Sequence, residues 1–280
     1  MRVGVLGASG FIGRHLTQAL RARGDEVLTA SLRDPAAAAR TLASCGAVVN
    51  LSGEPISQRW NATVKHNILY SRTESPRQFL EAMAALPHRP STYVSASAVG
   101  YYGTSETATF TESSPAGSDF LAGVCAQWEA QALQAEAIGM RVAIVRTGIA
   151  LGSDGGALAQ MLPPFRLGAG GIIGNGRQWI SWVHIDDVIG IYLKAIDGVG
   201  GVLNATAPTP VTNATLTQAL GRAVHRPAII PTPTIALRLM FGEAADILVT
   251  GQRVLPERAQ AEGYRFTFTE IDAALANLIA

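Results

Sequence analysis

Cysteine is scarce in this chain of 280 residues: there are two, Cys45 and Cys125, and no CxxC pair. No disulfide framework can be built on that, and a reduced, cytoplasmic setting is expected. No metal-ligating pattern stands out. Charge of one sign is not in excess either, since the formal net charge is +1. That excludes the basic footprint of a nucleic-acid binder and the polybasic patch of a membrane-surface protein. No apolar run reaches the roughly 18 residues of a spanning helix. The N-terminus lacks the charged head and cleavage site of a signal peptide. There is no internal repeat and no low-complexity tail. What remains is 48% hydrophobic and 15% charged, the composition of a globular protein with a sizeable core. The length suits one large domain or a domain with a smaller lobe.

The chain is organised around its opening stretch, Val3 to Gly13. Arg2 to Leu6 is a short apolar run that reads as a buried parallel strand. Gly7, Gly10 and Gly13 follow at intervals of three. Arg14 to Arg23 reads as a helix with Leu16, Ala19 and Leu20 on one face, stopped at Gly24. Strand, glycine loop and helix is the layout that holds a dinucleotide pyrophosphate. Gly7 allows the tight turn, Gly10 lets the phosphates approach the backbone, and Gly13 lets helix and strand pack closely. Glu26 to Ala30 supplies the next strand on schedule. The alternative is a glycine-rich turn with no ligand.

The end of that second strand decides between dinucleotides. An acid there binds the ribose hydroxyls of NAD, and an arginine accommodates the 2′-phosphate of NADP. Here Ser31 ends the strand and Arg33 follows, so NADP(H) is expected over NAD(H). Asp34 either turns toward the ribose or begins a turn with Pro35. Ala36 to Ala39 reads as helix. Gly46 to Gly53 reads as a third strand and turn, with Leu51, Ser52 and Gly53 passing beside the cofactor. A helix over about 73–85 ends at Pro87 and Pro90. A fourth strand, Thr92 to Ser97, ends in hydroxyls, and the loop Ala98 to Gly103 carries Tyr101 and Tyr102. Ligands of open α/β sheets bind at the carboxyl ends of strands, which puts these groups near the chemistry. Asp119 to Ile138 reads as helix, with Cys125 and Trp128 as core, and Arg141 to Arg146 as strand. Leu151 to Gly176 is glycine-rich and reads as a mobile loop on the substrate side. Trp179 to Ile185 reads as strand, and Asp186-Asp187 as the cap of the helix that carries Lys194. The expected division is a dinucleotide-binding domain over 1–207, with a substrate-side insertion at 151–180, and a small C-terminal lobe over 208–280.

These stations resemble the extended short-chain dehydrogenase/reductases, in their NAD-dependent epimerase/dehydratase-like branch. The resemblance rests on Gly7-Ala8-Ser9-Gly10-Phe11-Ile12-Gly13, Ser95-Ala96-Ser97 and Trp182-Val183-His184-Ile185-Asp186-Asp187-Val188. Further segments resemble an atypical "epimerase family" oxidoreductase group, some members of which carry the label of cell-division inhibitor. They include Val49 to Ile56, Arg59-Trp60, Ser71-Arg72, Ser95 to Gly103, Trp128-Glu129, Arg146-Thr147-Gly148 and Gln252-Arg253-Val254. The resemblance covers nearly the whole chain. It implies a Rossmann-type α/β fold, a doubly wound parallel sheet with a small C-terminal substrate lobe. It implies NADP(H) bound by Gly7, Ser9, Gly10, Phe11, Ile12, Gly13, Arg33, Leu51, Ser52, Gly53, Ser95 and Arg146. It also implies a small-molecule substrate, with no nucleic acid and no membrane, acted on by a monomer or homodimer.

One departure matters. Catalysis in that superfamily uses Ser, Tyr and Lys, with the Tyr and Lys four apart on the helix after the serine strand. Here those two positions fall on Leu121 and Cys125, and the chain has only two lysines, Lys65 and Lys194. Ser97 keeps the serine position. The nearest hydroxyls are Tyr101 and Tyr102, which either supply the proton, with Lys65 or Arg72 as the cation beside them, or only line the pocket. A second departure is Leu32, which intervenes between Ser31 and the basic residue. The leading expectation is an NADP(H)-dependent oxidoreductase. The alternatives are an NADP(H)-binding sensor or scaffold without turnover, and a nucleotide-sugar epimerase or dehydratase.

Overall fold

The computed structural model describes residues 1–279. Six strands form one parallel sheet: β1 (Arg2–Leu6), β2 (Glu26–Ala30), β3 (Ala47–Asn50), β4 (Thr92–Ala98), β5 (Arg141–Thr147) and β6 (Gly201–Ala205). Their spatial order is β2-β1-β3-β4-β5-β6, and every neighbouring pair is parallel. The chain winds outward from β1 in one direction and from β3 in the other. The crevice at this switch point lies beyond the carboxyl ends of β1 and β3, where doubly wound sheets take their ligands.

Eight helices frame the sheet and the site: α1 (Phe11–Ala22), α2 (Pro35–Leu42), α3 (Ala62–Tyr70), α4 (Glu74–Ala84), α5 (Phe120–Leu133), α6 (Gly156–Arg166), α7 (Ile185–Asp197) and α8 (Asn213–Ala223). Alternation along the strands feeds two cores. Val3, Val5, Val49, Val94 and Val145 pack with Leu16 and Leu20 of α1 and Val188, Ile191 and Tyr192 of α7. Leu6, Val48, Tyr93 and Ile144 face the other way, against Leu42 of α2, Phe79 and Met83 of α4 and Ala132 of α5. Burial on both faces explains why these strands read as near-continuous apolar runs. A third core joins Leu151, Leu158 and Phe165 to Trp182, Leu216, Leu220 and Leu275. Residues from the expected insertion and from the C-terminal lobe therefore share one interior.

Two expectations need correction. The glycine-rich stretch over 151–176 is not all loop, for α6 occupies its middle with Pro163 and Pro164 inside it. Buried Leu158, Leu162 and Phe165 sit at helical spacing and hold it against the third core. The glycines and prolines around them hid that period. Asp186 and Asp187 do not cap α7. His184 does, its Nδ1 accepting from the Asp186 backbone N–H at 3.1 Å. The Asp187 carboxylate is buried and ties down the C-terminal segment, accepting from Tyr264 Oη, Thr267 N and Phe268 N at 2.8–3.0 Å.

Candidate functional site

The glycine loop turns as expected, with Gly7 at φ +77° and Gly10 N–H donating to Gly7 O at 3.0 Å. Two of its glycines are demanded by the protein itself. A Cβ on Gly7 would lie 2.8–2.9 Å from the Leu51–Ser52 backbone. One on Gly13 would lie 2.2 Å from Gly7 O, so α1 could not sit where it does. Gly10 differs, because a Cβ there would meet only Gly7 O, at 3.3 Å. Its lack of a side chain keeps space open outside the loop. Gly10 is also the N-cap of α1 and supplies no side-chain cap, and the first turn carries no acid. The opening N–H groups of α1 and the positive end of its dipole therefore face that space, as an anion requires.

The other expected cofactor contacts divide. Ser9 is exposed beside the loop, and Leu51, Ser52 and Gly53 line the β3 side of the crevice. Ser52 N–H is held by Asn50 Oδ1 at 3.1 Å. Ile12 packs into the core beneath α1. The Phe11 ring seats against Gly152, Gly155 and Gly156, where added Cβ atoms would come within 2.5–2.8 Å of it. Its contribution to a ligand is its backbone at the helix start. Arg33 is exposed, and its side chain has no hydrogen-bond partner among the described residues. Leu32, which displaces it by one position, is buried in the core. Asp34 is committed elsewhere: its Oδ1 accepts from Ala37 N–H at 2.9 Å and caps α2.

Ser95 and Arg146 do not reach the crevice. Ser95 is buried, and its hydroxyl donates to the Ala96 carbonyl at 3.0 Å. Arg146, 3% exposed, forms a two-pronged ion pair with Glu129 of α5, Nε to Oε1 at 2.8 Å and Nη2 to Oε2 at 2.7 Å. Burial works against its charge, yet the Glu129 contacts outweigh it and raise the Arg146 pKa. The pair then decides the fate of the expected catalytic groups. Ser97 donates its proton to Glu129 Oε1 at 2.6 Å, so that proton is not offered to a substrate carbonyl. Tyr102 donates to Asn204 Oδ1 at 2.7 Å and accepts from Arg146 Nη1 at 2.9 Å. Burial pushes its pKa up to about 12, against the pull of Arg146. Tyr102 is therefore a buried structural hydroxyl rather than a proton donor. Tyr101 lies half-buried over the Arg146 guanidinium, 3.4 Å from ring centroid to Cζ. Among the described residues its hydroxyl has no hydrogen-bond partner.

Leu121 and Cys125 stand on the α5 face that meets the Val99–Tyr102 turn: a Cβ on Gly100 would lie 3.5 Å from Leu121 Cβ and 3.9 Å from Cys125 Sγ. Burial pushes the Cys125 thiol up to about 11, so it is no thiolate nucleophile. Lys65 is drawn away to Glu243, with its ammonium 5.0 Å from the Phe120 ring centroid. Sequence reasoning missed Glu129 and Asn204 as network members. One signal was available: an acid in the apolar stretch of α5 and a cation inside β5 each require a buried partner.

Among the described residues, no helix is long and apolar enough to cross a membrane. A model of the NAD dependent epimerase/dehydratase family matches residues 3–205, and one of a domain of unknown function matches residues 232–278. The chain is 43% identical over 295 residues to the human epimerase family protein SDR39U1, with 100% of both covered. It superposes on a crystal structure of human SDR39U1 (isoform2) with NADPH at a TM-score of 0.89 and 38% identity, covering 100% of this chain and 99% of that one. A nucleoside-diphosphate sugar epimerase from Corynebacterium glutamicum matches at a TM-score of 0.81 and 32% identity, over 100% of this chain and 58% of that one.

Proposed function

The chain belongs to the NAD dependent epimerase/dehydratase family, and on that premise we propose that it is an NADP(H)-binding oxidoreductase of the atypical extended short-chain type. The carrying observation is the pair of groups at the switch point, Gly10 and Arg33. Gly10 is the least crowded glycine of the loop, a Cβ there meeting only Gly7 O at 3.3 Å, and Arg33 has no side-chain partner among the described residues while Asp34 is tied to α2. The uncapped α1 N-terminus would hold the pyrophosphate, and Arg33 the 2′-phosphate. The NADPH-bound human relative, alike along the whole chain, supports the same choice.

The cofactor, when bound, supplies or takes up a hydride. The chain's own part is narrower. Its crevice aligns the dinucleotide along the ends of β1 and β3. Tyr101 is the hydroxyl left to move a proton at the substrate oxygen, backed by the Arg146 charge beneath its ring. The substrate class is a small or medium polar carbonyl or alcohol. The engagement of Ser97 by Glu129 and of Tyr102 by Asn204 favours a second reading, an NADP(H)-binding sensor without turnover.

Calorimetric titration of NADPH and NADH into wild type and Arg33→Ala tests the cofactor. A charge-assisted contact to the phosphate should contribute about 1.5–3 kcal/mol, or roughly ten- to a hundredfold in affinity. Equal affinities in wild type, or no loss in the variant, would refute it.

A further inference from the structure

Two cations meet one carboxylate where α3 approaches the C-terminal part of the chain. Lys65 of α3 pairs with Glu243, on the turn Gly242–Ala245. Arg59 lies next to that turn: a Cβ on Gly242 would stand 3.8 Å from its Cγ and Nε. Arg59 is exposed, and among the described residues no carboxylate pairs with it. The cluster therefore carries one positive charge more than Glu243 answers.

Aromatic rings set its place in the fold. The Lys65 ammonium sits 5.0 Å from the Phe120 ring centroid and 5.9 Å from that of Trp60, and the two rings meet edge to face at 5.3 Å. Trp60 is anchored in turn, its Nε1 donating to Ile56 O at 3.0 Å. Phe120 opens α5 and directly precedes Leu121, the residue that meets the Val99–Tyr102 turn. The ammonium thus stands at the end of α5 that adjoins the turn carrying Tyr101.

The rings hold the cation without neutralising it, because they carry no net charge. Glu243 neutralises it through an exposed contact: the Lys65 side chain is 30% exposed and that of Glu243 67%. Exposed ion pairs are weakly held, since water and dissolved ions compete for both partners. A solute carboxylate or phosphate can displace Glu243 from such a pair, and the second cation, Arg59, favours the exchange. The buried pair Glu129–Arg146 offers no such exchange. We propose that Lys65 and Arg59 bind an anionic group of the substrate, a carboxylate or a phosphate, and that Glu243 holds its place in the free protein. This inference rests on the NADP(H) oxidoreductase reading above and narrows its substrate to an anionic carbonyl or alcohol. Lys65 is a binding group in this scheme, and the proton remains with Tyr101.

The test uses protein saturated with NADP⁺ and three probes built on one ring: 4-carboxybenzaldehyde, 4-formylphenyl phosphate and neutral benzaldehyde. By calorimetry, wild type should bind one of the anionic probes about tenfold or more tighter than benzaldehyde, and which one tells carboxylate from phosphate. Lys65→Met should remove that preference. Glu243→Gln should do the opposite and tighten the same probe by up to about fivefold, because the competing carboxylate is gone. Both variants break the same ion pair, so a merely structural tie predicts effects of one sign. Asp246→Asn removes an equal charge from the neighbouring exposed pair Arg238–Asp246 and should leave the affinity within about twofold of wild type. If Lys65→Met does not fold, Glu243→Gln decides alone. No preference for an anion in wild type, weaker or unchanged binding in Glu243→Gln, or equal tightening by Asp246→Asn would overturn the assignment. NADP⁺ titrated by itself reads the cofactor separately: a wild type that takes up none overturns the NADP(H) reading, and this one with it.

Discussion

Replacing Glu129 by glutamine should destabilise the fold far more than its one-atom change suggests. Arg146 is 3% exposed and Glu129 6%, and the two share a pair of hydrogen bonds of 2.7–2.8 Å. Glutamine offers one acceptor oxygen where the carboxylate offers two. Its amide must then point a donor at either Arg146 or Ser97, both of which are already donors there. The guanidinium loses its only carboxylate among the described residues and keeps Tyr102 Oη at 2.9 Å, the Glu112 carbonyl at 3.4 Å and the Tyr101 ring. Removing one partner of a buried pair typically costs about 3–5 kcal/mol, and those remaining contacts argue for the lower end of that range. For a chain of this size that lowers the melting temperature by roughly 5–7 °C. Urea unfolding, followed by tryptophan fluorescence, would measure it. The double variant Glu129→Leu/Arg146→Met removes both charges and should recover at least half of the loss, because apolar replacement of a buried pair is often close to neutral. A loss under about 1 kcal/mol for Glu129→Gln, or a double variant no better than the single one, would show that the pair is not what organises this region.

Tyr101→Phe should lower NADPH-dependent turnover on a responsive carbonyl by about 10²–10⁴ with cofactor affinity kept. Tyr102→Phe should instead lower stability by about 1–3 kcal/mol, since it strands Asn204 Oδ1 and leaves Arg146 Nη1 only the Glu112 carbonyl at 3.4 Å; the reverse pattern would swap the two roles. His184 carries a pH dependence. Burial lowers its pKa, against Asp186 and Asp187, and its Nδ1 must stay unprotonated to cap α7. The unfolded chain therefore takes up the proton first, so this stabilisation is present above about pH 6.5 and is lost as pH falls below it. His184→Gln should flatten the fall in melting temperature between about pH 6.5 and 5, and an unaltered slope would remove His184 from the account.

What was legible in the sequence is what sterics alone dictate. Gly7 and Gly13 could be placed without a structure because each answers to a backbone atom a few residues away along the chain or across a neighbouring strand. The sheet followed from strand runs whose burial on both faces leaves no polar alternation. α6 was lost because the glycines around it serve the Phe11 ring, not a hinge, and they masked the Leu158, Leu162 and Phe165 period. Ser97 and Tyr102 are engaged within the fold for a different reason. Resemblance carries positions, and Ser97 does stand at the end of β4, but it does not carry the direction of a hydrogen bond. That direction was set by Glu129 and Arg146, which lie on α5 and β5 and meet only in the folded chain. Once Glu129 is an ionised acceptor at 2.6 Å, the Ser97 proton has one place to go. The same carboxylate fixes Arg146, and Arg146 fixes Tyr102, so three positions read as separate cofactor or catalytic contacts turn out to be one network. With Ser97, Tyr102 and Arg146 engaged, Tyr101 is the one expected hydroxyl that keeps no hydrogen-bond partner among the described residues.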